Sequence, residues 1–133
     1  MTDALSADQP IPPRSRKFRQ AAFVYLHVGL LYEFSVYAMW RAGLIANVPG
    51  HPLLWLGMGA IIVALIVYGL WFRESVLLAR VIWIIHGLRL PALIEGAFLP
   101  GAGEGSVSAS FYHAAILVII INLWMLARAG WDL

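Results

Sequence analysis

The sequence predicts an all-α fold: a polytopic, four-transmembrane-helix bundle preceded by a disordered N-terminal tail. Three observations carry this. Of 133 residues, 62% are hydrophobic and only 12% charged, against about 45–50% and roughly 25% in soluble domains. A small soluble chain could not bury that much apolar surface. The apolar residues fall into four runs, each near the ~20 residues that cross ~30 Å of hydrocarbon. Between the runs lies turn chemistry: "NVPGHP" (47–52), "RES" (73–75) and "LPGAGEGS" (99–106).

Taken in order, residues 1–17 contain Pro10, Pro12 and Pro13 without apolar periodicity, which predicts a mobile cytoplasmic tail. Residues 18–133 form the membrane domain, with helices over 20–41, 53–72, 76–98 and 110–128. The first run is too long for a signal-peptide core, contains Glu33 and lacks a small-x-small cleavage site. It is expected to be an uncleaved helix. The second run is almost free of polar groups and carries Gly57, Gly59, Ala60 and Ala64, small residues that permit close backbone approach. It is expected to face lipid or another subunit. The third, "VIWIIHGLRLPALIEG" (81–96), is apolar yet contains His86, Arg89, Pro91 and Glu95. Proline lacks the N–H that would bond to the carbonyl of Gly87, so a kink is expected between Gly87 and Pro91.

Basic residues set the expected orientation. Arg14, Arg16, Lys17, Arg19, Arg73, Arg80 and Arg128 gather on one side, Arg41 lies opposite, and Arg89 falls within the third run. The positive-inside rule then puts both termini in the cytoplasm and the protein in the inner or plasma membrane. Aromatics at both ends agree: Trp40, Trp55, Phe98, Phe111 and Tyr112 outside, with Phe18, Phe23, Trp71, Phe72 and Trp124 inside.

Depth counting sorts the polar residues. Glu33 and Arg89 each lie about thirteen residues into an outward-running helix, ~20 Å deep. An isolated charge there costs at least ~2.5–3.5 kcal/mol, so an ion pair is expected within a central layer of Glu33, Tyr37, His86 and Arg89. A cytoplasmic-side layer of His27, Tyr68, Arg80 and Asn122 and an outer pair of Arg41 and Glu95 follow from the same count. The layer could be a structural clamp or a working gate; because guanidinium does not deprotonate, the clamp is preferred.

No HExxH, nucleophile elbow, phosphate loop or carboxylate cluster occurs, so no enzymatic activity is expected. The chain has no cysteine, which excludes disulfides and thiolate metal sites. No cofactor is expected; the alternative is a haem held by His27 and His86. "LHVGLL" (26–31) and "IHGLRL" (85–90) echo each other, as tandem halves would. Partners are expected to be the lipid bilayer and either other membrane subunits or further copies of the chain, with no nucleic acid. The preferred function is a non-catalytic accessory or assembly subunit of a larger membrane complex. The alternative is a small oligomeric transporter or channel that uses Glu33, Arg89 and His86.

Overall fold

The computed structural model describes residues 10–44, 50–99 and 107–133. The first nine tail residues and most of the two far-side loops, Glu104 included, fall outside them. The described residues are all-helical, without strands. Four helical runs are long and apolar enough to cross a membrane: Pro13–Arg41, Pro52–Trp71, Val76–Phe98 and Ala109–Gly130.

Helix α1 (Pro13–Arg41) begins well before the expected residue 20. Pro13 occupies the first turn, where a missing N–H is harmless, and Arg16 N donates to Pro12 O at 3.0 Å. Residues 13–17, expected in the tail, are thus helical. Their side chains explain why. Lys17 Nζ donates to Asp132 Oδ1 at 2.7 Å, Arg14 lies 3.8 Å from Glu74, and Phe18 is enclosed beneath rather than standing in an interfacial belt. The helix ends where Gly43, at φ +70°, lets its N–H reach Trp40 O while Leu44 N reaches Met39 O. This is a Schellman cap, and it needs the left-handed conformation that glycine tolerates.

Helix α2 (Pro52–Trp71) starts with Pro52 behind His51, whose Nδ1 accepts from Leu53 N. Ser75 caps α3 (Val76–Gly87) by accepting from Leu78 N. The third run then breaks. Leu88 N still reaches Ile84 O, but Arg89 N reaches only His86 O, and the helix resumes as α4 (Leu90–Phe98) with Pro91 in its first turn. Helix α5 (Ala109–Gly130) closes the chain.

Helix α1 packs along α2 on one side and α5 on the other, and α5 packs against α3 and α4. Helices α2 and α3 touch near the connecting turn, where Leu78 rests on Gly69. The core is accordingly one-ended. Phe18, Ala21, Ala22, Leu70, Ala79, Leu126 and Ala129 are all buried beside the N-terminal turn, the α2–α3 turn and the C-terminus. Arg80 Nε donates to Gly130 O at 2.9 Å there, and Arg128 reaches Gln20. Away from this basic end, a cleft opens among α1, α2, α3 and α5.

A candidate ligand cavity among the four spans

The cleft holds a cavity of about 500 Å³, lined from every span. Helix α1 supplies Tyr25, Gly29, Tyr32 and Glu33. Helix α2 adds Gly59 and Ile62, α3 adds Ile82 and His86, and α5 adds Phe111, Ala115 and Ile119; Arg89 enters from the break before α4. Residues 25, 29, 32 and 33 recur at i, i+4, i+7 and i+8, one face of a helix.

Two glycines set the α1–α2 distance. Val63 stands against Gly29, and the Glu33 carboxyl group rests on Gly59. Each helix offers a bare backbone to a side chain of the other, which brings the axes close and holds Glu33 at the cavity wall. Gly59 was expected only as a small residue; its meeting with Glu33 depends on register between two helices, which local sequence does not encode.

Lower on the same face of α1, Tyr25 stacks on His86 of α3, with ring centroids 5.6 Å apart and planes at 27°. Asn122, fully enclosed, donates through Nδ2 to His86 Nδ1 at 2.8 Å. Its Oδ1 has no partner among the described residues, and leaving such an acceptor unpaired costs about 1–3 kcal/mol. A neutral imidazole that accepts at Nδ1 carries its proton on Nε2. Asn122 therefore fixes both the ring plane and the tautomer of a cavity residue. It was expected beside His27, Tyr68 and Arg80, but its bond to His86 carries it into the central site.

The stack also corrects the depth count. Equal depth for Glu33 and Arg89 would set His86 beside residue 30 of α1. It lies instead beside Tyr25, five residues lower, ~7.5 Å at 1.5 Å per residue. Arg89 reaches back up, with its guanidinium over the Tyr32 ring at 5.3 Å from the centroid. Glu33 and Arg89 share the cavity but form no ion pair. The ion pairs among the described residues are Arg14–Glu74 and Lys17–Asp132, both at the basic end.

The other expected groupings are not brought together. Tyr37 sits one turn beyond the cavity against Trp40, ring centroids 6.3 Å apart. Arg41 and Glu95 are both exposed and make no ion pair with each other. His27 is exposed, and its Nδ1 donates to Phe23 O in its own helix at 2.7 Å, while His86 lies inside; the two imidazoles share no site. Tyr68 packs on Phe72 at the surface, and Arg80 lies over Trp131. The echo between 26–31 and 85–90 has no structural counterpart, since Gly29 meets Val63 and Gly87 faces open space.

No protein-family profile matches the chain, and neither a curated protein nor a solved structure matches it. The cavity has to be judged by its own chemistry. It offers one carboxylate, one guanidinium, a held imidazole, tyrosine rings and the Ser35 hydroxyl, on walls that are otherwise apolar. Among the described residues no three metal-ligating side chains converge.

Proposed function

We propose that the protein is a small, non-catalytic integral membrane protein that binds a small molecule inside its helix bundle, acting as an oligomeric transporter or carrier. The observation that carries this is the cavity: about 500 Å³, lined by all four spans, with Glu33 and Arg89 on its walls. Volumes of about 300–1,000 Å³ with few polar groups among apolar ones are typical of small-molecule sites. Ionisable groups at this depth in a bundle mark pathways and binding sites more often than scaffolding. The basic side chains at one end support a location in the cytoplasmic membrane with both termini inside.

Purification from native membranes in mild detergent, followed by native mass spectrometry, tests this. A bound small molecule that is lost when Ala115→Trp fills the cavity supports it. A stoichiometric membrane-protein partner, with no small molecule in any preparation, refutes it in favour of an accessory subunit. The outer face of α2 favours that second reading, because Leu54, Ile61 and Leu65 are exposed there and Gly57 has open space above it, as a helix docking onto a neighbour would need.

A further inference from the structure

We infer that the cavity is built for a small zwitterion with an apolar body, a molecule that carries an ammonium and an acid group close together. This rests on the cavity being a binding site, and it adds the chemistry of the occupant.

The charges decide the class. Glu33 and Arg89 line the same space and are close enough to feel each other's charge, yet they form no direct ion pair among the described residues. The Glu33 carboxyl group rests on the backbone of Gly59, which supplies no charge. Arg89 lies over the Tyr32 ring, a contact that orients a guanidinium without cancelling it. Uncompensated charge at this depth is costly, and pairing relieves it only when both signs are met. A bound cation would satisfy Glu33 and leave Arg89; a bound anion would do the reverse. An occupant bearing both signs satisfies both, and its net charge of zero matches that of the pair.

The walls decide the rest. Ile62, Ile66, Ile82, Ile85, Val118 and Ile119 line the remaining surface, which suits an aliphatic or aromatic body. A volume of about 500 Å³ fits a single small molecule rather than a two-chain lipid. The occupant's ammonium meets Glu33, its acid group meets Arg89, and its apolar part lies among the isoleucines.

Phenylalanine serves as the probe, against its methyl ester (cation only) and its N-acetyl derivative (anion only). Binding to purified wild-type protein is read by calorimetry and thermal shift, with indole as a neutral apolar control. The expectation is that phenylalanine binds and that each blocked form binds at least about tenfold more weakly, since each leaves one cavity charge unmet. In Glu33→Gln the N-acetyl form should match phenylalanine, and in Arg89→Gln the ester should match it. The wild-type series needs no variant, so a misfolded variant does not remove the test. Equal binding of either blocked form to the wild type overturns the zwitterion. So does co-purifying phosphatidylcholine or phosphatidylethanolamine that phenylalanine cannot displace, which would assign the charges to a lipid headgroup. If indole binds and Ala115→Trp abolishes that binding while phenylalanine fails, the zwitterion falls and the ligand cavity stands. If indole also fails to bind, both fall.

Discussion

Alanine at Gly29 and alanine at Gly59 make the same chemical change on facing helices, and the structure assigns them different consequences. At Gly29, an ideal Cβ would lie 2.6 Å from Val63 Cγ2 and 3.1 Å from Cγ1. Carbon atoms rest about 3.5–4.0 Å apart, so either the helices separate by ~1 Å or Val63 leaves its rotamer. Val63 is 5% exposed and, although it borders the cavity, it is β-branched, so leaving its rotamer is itself costly. Overpacking of this kind costs about 1–3 kcal/mol, while alanine returns up to ~1 kcal/mol in helix propensity. With the full return the expected net loss for Gly29→Ala is up to about 2 kcal/mol, and adding Val63→Ala should relieve most of the clash. At Gly59, the new methyl meets the far end of the Glu33 side chain, which can swing into the open cavity. Gly59→Ala should change stability by less than ~1 kcal/mol, because a flexible chain end yields more cheaply than a β-branched one, and should act instead by displacing Glu33 from its place. Reversible unfolding in mixed micelles of increasing sodium dodecyl sulfate content, run on the two single variants and the Gly29→Ala/Val63→Ala double, measures this. A Gly29→Ala protein more stable than the wild type, or a Gly59→Ala protein that loses more than Gly29→Ala, would refute the account of the α1–α2 interface.

Three further predictions concern the break, the ion pairs and the cavity charges. Pro91→Ala restores an N–H facing the Gly87 carbonyl, so α3 and α4 should merge into one straighter helix. Spin labels on cysteines placed at positions 83 and 98 of this cysteine-free chain should move apart, and an unchanged distance would argue against a proline-imposed break. At the basic end, the hydrogen bond from Lys17 holds the Asp132 carboxyl below the usual carboxylate range, helped by the charges of Lys17 and Arg14. A carboxyl depressed on folding stabilises above its unfolded value and loses that contribution as pH falls through the folded one. Unfolding measured from neutral to acid pH should thus show Asp132→Asn losing less stability than the wild type on the acid limb, and parallel curves would discount the tie. Because Glu33 and Arg89 share a cavity without forming an ion pair, a double-mutant cycle to Gln on ligand-free protein should give a coupling below ~1 kcal/mol, against losses of about 3–5 when a buried pair is broken. A larger coupling would show the two side chains meeting directly.

The helical runs and the polar residues within them were legible in the sequence because they follow from local rules. Hydropathy over about 20 residues sets a span, and a proline or glycine interrupts it. The break at Leu88 and Arg89, the turn at 73–75 and the end of α1 before Gly43 all belong to this class, as do the candidates Glu33, His86 and Arg89. The early start of α1 was hidden, because residues 13–17 are held by Asp132 and Glu74, which lie far along the chain. The layers assembled from depth alone failed for a related reason. Counting residues gives height along one helix, but neither the rotation of that helix nor its offset from a neighbour. Those were decided by a few tertiary contacts: Tyr25 stacked on His86, Asn122 bonded to it, and Glu33 resting on Gly59. Each joins residues more than 15 positions apart. Close packing allows these side chains few arrangements, so a shift of one turn would unmake all three. Composition determined that this chain forms apolar helices with charges inside them; only the packing of those helices decided that Glu33 and Arg89 face one cavity instead of each other.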